Sequence, residues 1–97
     1  MPTYISLLNY TEQGISKIKE SPSRLDAARA LFKQHGSELK AFYLTMGGMD
    51  AVAIVEAPND ETVAKVLLTL GSKGNVRTTT SRAFTEEEYR KVVGSLP

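Results

Sequence analysis

The sequence predicts an α+β domain in the order strand, helix, strand, strand, helix, strand, closed by a short helix. Three observations predict it. Phe42 to Ala57 holds two apolar, β-prone runs around Gly47-Gly48, the spacing of a two-residue hairpin. On each side of that hairpin lies one run of helical periodicity, followed by glycine. The outer runs, Thr3 to Tyr10 and Asn75 to Ala83, are rich in β-branched or aromatic residues and read as strands.

The hairpin sets a register. With Met46 opposite Met49, Phe42, Leu44 and Met46 share a face with Met49, Ala51, Ala53 and Val55. The other face carries Ala41, Tyr43 and Thr45 opposite Asp50, Val52 and Ile54. The first face is wholly apolar and suits the side beneath helices. The second is mixed, without the clean alternation of a face turned to water, so something covers it.

Each remaining element follows from its own pattern. In Thr3 to Tyr10, Ile5 and Leu7 form one face and Tyr4, Ser6, Leu8 and Tyr10 the other. Thr11 to Glu20 is polar, with Ile15 and Ile18 spaced for a short helical turn. Ser21 or Ser23 is placed to cap a helix running to about His35, with Leu25, Ala27, Ala28, Leu31 and Phe32 on its inner side. Gly36 is positioned as its left-handed terminal residue. His35, the single histidine, suits the negative end of the helix dipole; nothing in the sequence pairs it with a carboxylate. After Ala57-Pro58, Asn59 or Asp60 caps a second helix whose buried stripe is Val63, Val66, Leu67 and Leu70, with Gly71 and Gly74 leading into the last strand. That strand is polar on both faces, as an edge strand or a pocket wall would be. Thr85 and Glu88 form a capping box, flanked by Phe84 and Tyr89 at the spacing of a hydrophobic staple. Glu86 with Arg90 and Glu87 with Lys91 add i, i+4 pairs, so the acidic run is a solvated helix start and not a metal site.

Composition bounds the rest. The 97 residues make one domain, 1–97, with a modest two-layer core. A net charge of +1 with 24% charged residues points to no polyanion partner. The absence of cysteine removes disulfides, thiolate nucleophiles and Cys-based zinc sites. No apolar run approaches the ~20 residues of a membrane span, and no signal-peptide pattern opens the chain. The expectation is a cytoplasmic protein without metal or cofactor, since P-loop, dinucleotide and metal-ligand motifs are absent. Nucleic acid is not expected: Met49 to Val55 has neither the aromatics nor the basic start of an RNA-recognition strand.

The element order is the ferredoxin-like split βαβ pattern: a four-stranded antiparallel sheet with helices on one face. Leu44-Thr45-Met46-Gly47-Gly48-Met49-Asp50, followed by Ala53 to Asp60, resembles the GYD family of small bacterial-type domains. Met1 to Tyr4 and Gly74 to Thr78 extend the resemblance over nearly the whole chain. Gly47 and Asp50 match the family's eponymous motif, while Met49 stands where its tyrosine is expected, so no phenol is available there. The resemblance implies a ferredoxin-like fold and a dimeric α+β barrel in which two sheets face each other. Gly47-x-x-Asp50 and the segment Gly74 to Thr80 also resemble the effector domains of leucine-responsive-type regulators, which bind amino acids at subunit contacts.

These readings give one principal function and two rivals. The principal one is a small-molecule-binding domain that forms a homodimer, or a higher homo-oligomer, through its sheet face. Leu8, Val52 and Ile54, with Tyr4 and Tyr43, are the apolar patch expected to drive it. The ligand-binding candidates are Tyr4, Tyr43, Thr45, Asp50 and Arg77, the last available to a carboxylate or phosphate. One rival is a cofactor-independent enzyme of the dimeric α+β barrel type, with Asp50 as base or orienting group. A tautomerase would instead use Pro2, whose secondary amine is exposed on removal of Met1. The other rival is a stand-alone amino-acid-sensing effector module.

Overall fold

The computed structural model describes all residues, Met1 to Pro97. The strands are β1 (Thr3–Tyr10), β2 (Glu38–Leu44), β3 (Ala51–Glu56) and β4 (Val76–Ala83). The helices are α1 (Glu12–Ser16), α2 (Ser21–Gln34), α3 (Asp60–Ser72) and α4 (Glu86–Gly94). The strands form one antiparallel sheet in the order β2-β3-β1-β4, which is the ferredoxin-like arrangement. β4 is an edge, which accounts for its polar residues on both faces. No helix is long and apolar enough to cross a membrane.

The hairpin pairs Phe42 with Ala53, Tyr43 with Val52 and Leu44 with Ala51, the register set by opposing Met46 and Met49. A bulge between Leu39 and Ala41 then brings Leu39 opposite Val55. The strands stop at Leu44 and Ala51, short of the methionines, and only Gly47 of the glycine pair takes positive φ, at 110°. No backbone hydrogen bond joins Met46 to Met49, so the strands are connected by four residues, Met46–Met49, and not by the expected two-residue turn. Beyond Leu44, Thr45 holds the turn: its N–H donates to the Asp50 carbonyl at 2.9 Å and its hydroxyl to the Met49 carbonyl at 2.7 Å.

The core lies between the sheet and α2 and α3. Tyr4, Leu39 and Val55 of the sheet meet Phe32 of α2 and Val63 and Val66 of α3, with Leu25, Leu31, Phe42, Leu67 and Leu70 packed around them. Ala51, Ala53 and Val55 are buried while Val52, Ile54 and Glu56 alternate with them half-exposed, so the wholly apolar hairpin face takes the helices.

The pairing of β1 corrects one expectation. Tyr4 stands opposite Val55 and Leu8 opposite Ala51, so Tyr4 and Leu8 lie beneath the helices. Ile5 and Leu7, opposite Ile54 and Val52, take their places on the open face. That face carries two rows running from one edge to the other: Ala41–Ile54–Ile5–Ser81 and Tyr43–Val52–Leu7–Thr79.

Local structure departs from the sequence reading at two other points. Neither Ser21 nor Ser23 caps α2; Glu20 precedes the helix and makes no side-chain cap. A 3₁₀ turn over Ile18–Glu20 runs into α2, and the Ser21 N–H donates to the Ile18 carbonyl, so that amide needs no cap. Pro22 sits in the first turn, where a missing N–H costs nothing. The Thr85–Glu88 capping box of α4 forms as expected, but Phe84 and Tyr89 remain 58% and 60% exposed, so no staple shields them. Phe84 instead lies under the Arg82 guanidinium, 4.7 Å from its ring centre. No residue of α4 is buried.

Candidate functional site

The two candidate catalytic groups are far apart. Pro2 precedes β1, and its carbonyl accepts the Ala57 N–H at 3.1 Å. Asp50 lies beside the other end of the same strand, where its carboxylate accepts the Tyr10 N–H at 2.8 Å. Eight residues of β1 separate them, about 25 Å at ~3.3 Å per residue. They cannot act on one small substrate within one chain. Asp50 also donates its own N–H to the Leu8 carbonyl at 2.9 Å. Its position therefore continues the β1–β3 pairing past the last ladder residue.

The ligand-binding candidates divide between the two faces. Tyr43 is on the open face of β2, 62% exposed, and Arg77 is exposed on β4. β2 and β4 are opposite edges, three inter-strand steps apart, or roughly 14 Å at ~4.8 Å each. Thr45 is engaged in its own turn. Tyr4 does not belong with them. It is 3% exposed beneath the helices, and its hydroxyl donates to the Asp60 carboxylate at the start of α3. Burial, then the hydrogen bond to Asp60 and that carboxylate's charge, push the Tyr4 phenol above its ordinary pKa, and the Arg82 charge opposes them. Its ring is core and its hydroxyl ties β1 to α3. His35 is exposed, with its Nδ1 3.0 Å from the Leu31 carbonyl one turn back.

The sequence reading missed a cavity of about 170 Å³ on the helix side. Its floor is Leu8, Phe42 and Ala51 of the sheet; Leu25 and Ala28 of α2 and Leu70 of α3 form walls. Its polar lining is Tyr10, Ser21, Arg24, Lys73 and Asn75. These come from three separate stretches of chain, the end of β1, the start of α2 and the α3–β4 turn, gathered by α1. The Thr11 hydroxyl donates to the Gly74 carbonyl and accepts the Gly14 N–H as the α1 cap. Gln13 Nε2 donates to the Lys73 carbonyl at 3.1 Å and to Asn75 Oδ1 at 2.9 Å. Gly14 is buried so close to Asn75 that a Cβ would stand 2.0 Å from its carbonyl oxygen. No single stretch of sequence signals it, because Tyr10, Arg24 and Lys73 are brought together only by the fold.

Fold and site together define an α+β domain with an open, aliphatic sheet face on one side and a cavity on the other. The chain belongs to the GYD domain family, whose model matches residues 4–93. A Thermus thermophilus relative named glutamine synthetase and cystathionine beta-lyase binding protein is 36% identical over 85 residues, covering 87% of this chain and 90% of the relative. The fold recurs in the feast or famine regulatory protein of M. tuberculosis, solved with L-methionine, at a TM-score of 0.65 and 15% identity. That match covers 88% of this chain and 51% of the regulator, so the chain spans about half the regulator's length. Another neighbour is TTHA0845 of Thermus thermophilus, with a TM-score of 0.56 and 23% identity over 88% of this chain and 95% of that one.

Proposed function

We propose that this chain is a small-molecule-binding module that works as a homodimer, closed by two open sheet faces packed against each other. The observation that carries the reading is the pair of rows centred on Ile54–Ile5 and Val52–Leu7. They are bounded by Ala41 and Tyr43 on one edge and by Ser81 and Thr79 on the other. A surface with aliphatic centre and polar rim is self-complementary about a two-fold axis, and a second copy keeps it from water. Tyr43 and Arg77, at its two edges, border the space between the sheets and are the side chains of this face that reach for a ligand there. The 15%-identical fold neighbour solved with L-methionine is in keeping with a binding role. We propose a cytoplasmic location for the protein.

The test is solvent accessibility of methyl groups to a soluble paramagnetic probe in NMR. At high micromolar concentration the methyls of Ile5, Leu7, Val52 and Ile54 should be shielded, while Leu68, 74% exposed on α3, stays accessible. Accessibility of Ile5, Leu7 and Val52 that is the same in the wild type and in Ile54→Lys overturns the reading, since in one chain these residues are already less exposed than Leu68.

The 36%-identical relative favours a second reading, in which the module docks on an enzyme of nitrogen or sulfur amino-acid metabolism. Co-sedimentation with purified glutamine synthetase or cystathionine β-lyase from the same organism supports it. Independent sedimentation from both enzymes contradicts it.

A further inference from the structure

We propose that the cavity between α2, α3 and the sheet binds a small monocarboxylic acid whose body is a branched aliphatic chain or a single ring. This rests on the reading of the chain as a small-molecule-binding module, and adds where the ligand sits and what it is.

Size and lining set the body of the ligand. The cavity holds about 170 Å³. An apolar cavity of ~150 Å³ lined by Leu, Ile and Phe takes up benzene and stays otherwise dry. Here Leu8, Phe42, Ala51, Leu25, Ala28 and Leu70 supply most of the lining for a group of that size, and Tyr10, Ser21, Arg24, Lys73 and Asn75 the polar remainder. Burying it removes apolar surface from water without stranding a hydrogen-bonding group.

Charge sets the head group. Two cations border the cavity and no carboxylate does. The Arg24 guanidinium donates to the Lys17 and Gly14 carbonyls, each at 3.1 Å. Those neutral acceptors fix its position and leave its charge uncompensated. The Lys73 ammonium makes no ion pair, although five Lys or Arg ion pairs form elsewhere in the molecule. The hydroxyls of Tyr10 and Ser21, 3.4 Å apart, add neutral donors. A carboxylate completes this arrangement through charge-assisted hydrogen bonds. The ammonium of an α-amino acid would have no anionic partner, so the site selects the acid over the amino acid of matching side chain. The rim is built in advance, because Gln13 and Thr11 hold the Lys73–Asn75 turn and the Gly14 and Lys17 carbonyls hold Arg24. Preorganisation of this kind lowers the ordering cost of binding.

The experiment titrates the ¹⁵N-labelled full chain with 4-methylpentanoate and 3-phenylpropionate, beside L-leucine and L-phenylalanine, and follows amide shifts. The acids should move the amides of Leu8, Tyr10, Leu25, Ala28, Lys73 and Val76, and should bind at least about tenfold more tightly than the amino acids, the scale of one unpaired charge. Lys73→Gln, at an exposed position, should weaken the acids about three- to tenfold while the spectrum stays folded. Ala28→Leu fills the space and should abolish the shifts. Unchanged affinity in Lys73→Gln overturns the carboxylate assignment. Shifts confined to Ile5, Val52 and Ile54 overturn the cavity as the site but keep the small-molecule reading. No saturable shift with either acid overturns the inference, and sedimentation of the same sample reports separately whether the dimer reading stands.

Discussion

The Asp50 carboxylate accepts the Tyr10 backbone N–H at 2.8 Å, joining the turn after β2 to the last residue of β1. The bond takes the residue with the best claim to chemistry in the hairpin and gives it a positioning task. Tyr10 in turn lines the cavity, so this bond ties the hairpin turn to the cavity rim. Asp50→Asn keeps the shape and weakens the acceptor. The expected result is a loss of about 1 kcal/mol in urea unfolding, the scale of one hydrogen bond to a charged group partly retained. Dimerisation should be unchanged.

Tyr4→Phe removes the donor to Asp60 and leaves the core ring in place. Stability should fall by about 0.5–1.5 kcal/mol, because the Asp60 carboxylate is exposed and regains water. The pH dependence has a definite sign. The folded-state phenol titrates above its ordinary value of 10.0, so the contribution is full below pH 10 and is lost as pH rises through the folded value. Urea midpoints measured at neutral and strongly alkaline pH should therefore converge between wild type and Tyr4→Phe at the alkaline end.

Gly14→Ala places a Cβ 2.0 Å from the Asn75 carbonyl oxygen, a backbone atom that cannot swing aside. It should destabilise by about 1–3 kcal/mol, the range for forced overpacking. Gly48→Ala is the control. Its Cβ meets nothing within 4 Å and its φ is not positive, so the change should stay within about 0.5 kcal/mol.

Thr85→Ala removes the cap of α4, whose side chain accepts the Glu88 N–H at 3.2 Å. Since α4 buries nothing, the loss should appear as faster amide exchange across Glu86–Gly94 and not as a lower global midpoint. Glu88 titrates below its ordinary value, chiefly because it accepts the Thr85 N–H. The cap is therefore intact above the ordinary carboxyl range and should fray as pH falls through the lowered value.

The register of the hairpin was legible because two methionines flank two glycines, and counting back from them fixes every pair to Ala41. The inner stripes of α2 and α3 were legible from their spacing, except that Ala27, expected on the inner side of α2, is exposed. The faces of β1 were read correctly within the strand, yet Tyr4 and Leu8 were joined to the wrong face of the hairpin. Alternation says which residues of one strand share a side; the side itself depends on the pairing of β1 with β3 across more than forty residues, and a slip of one inverts it. The α2 cap was missed because a 3₁₀ turn runs directly into the helix and its Ile18 carbonyl accepts the Ser21 N–H, where a serine hydroxyl was expected to be the acceptor. The cavity was not legible at all, since Tyr10, Arg24 and Lys73 meet only through the folding of α1 against the Lys73–Asn75 turn.

The most direct test of the dimer through the open face is sedimentation velocity of the wild type beside Ile54→Lys at micromolar concentration. Ile54 stands at the centre of its row, opposite both Ile5 and Ala41, and is only half-buried in one chain. The substitution therefore leaves the core intact while setting a charge within the aliphatic rows of the proposed interface. The proposed dimer gives a wild type that sediments as two copies and an Ile54→Lys variant that is folded, by unchanged circular dichroism, and sediments as one. A monomeric wild type, or a variant that still pairs as tightly, would contradict it.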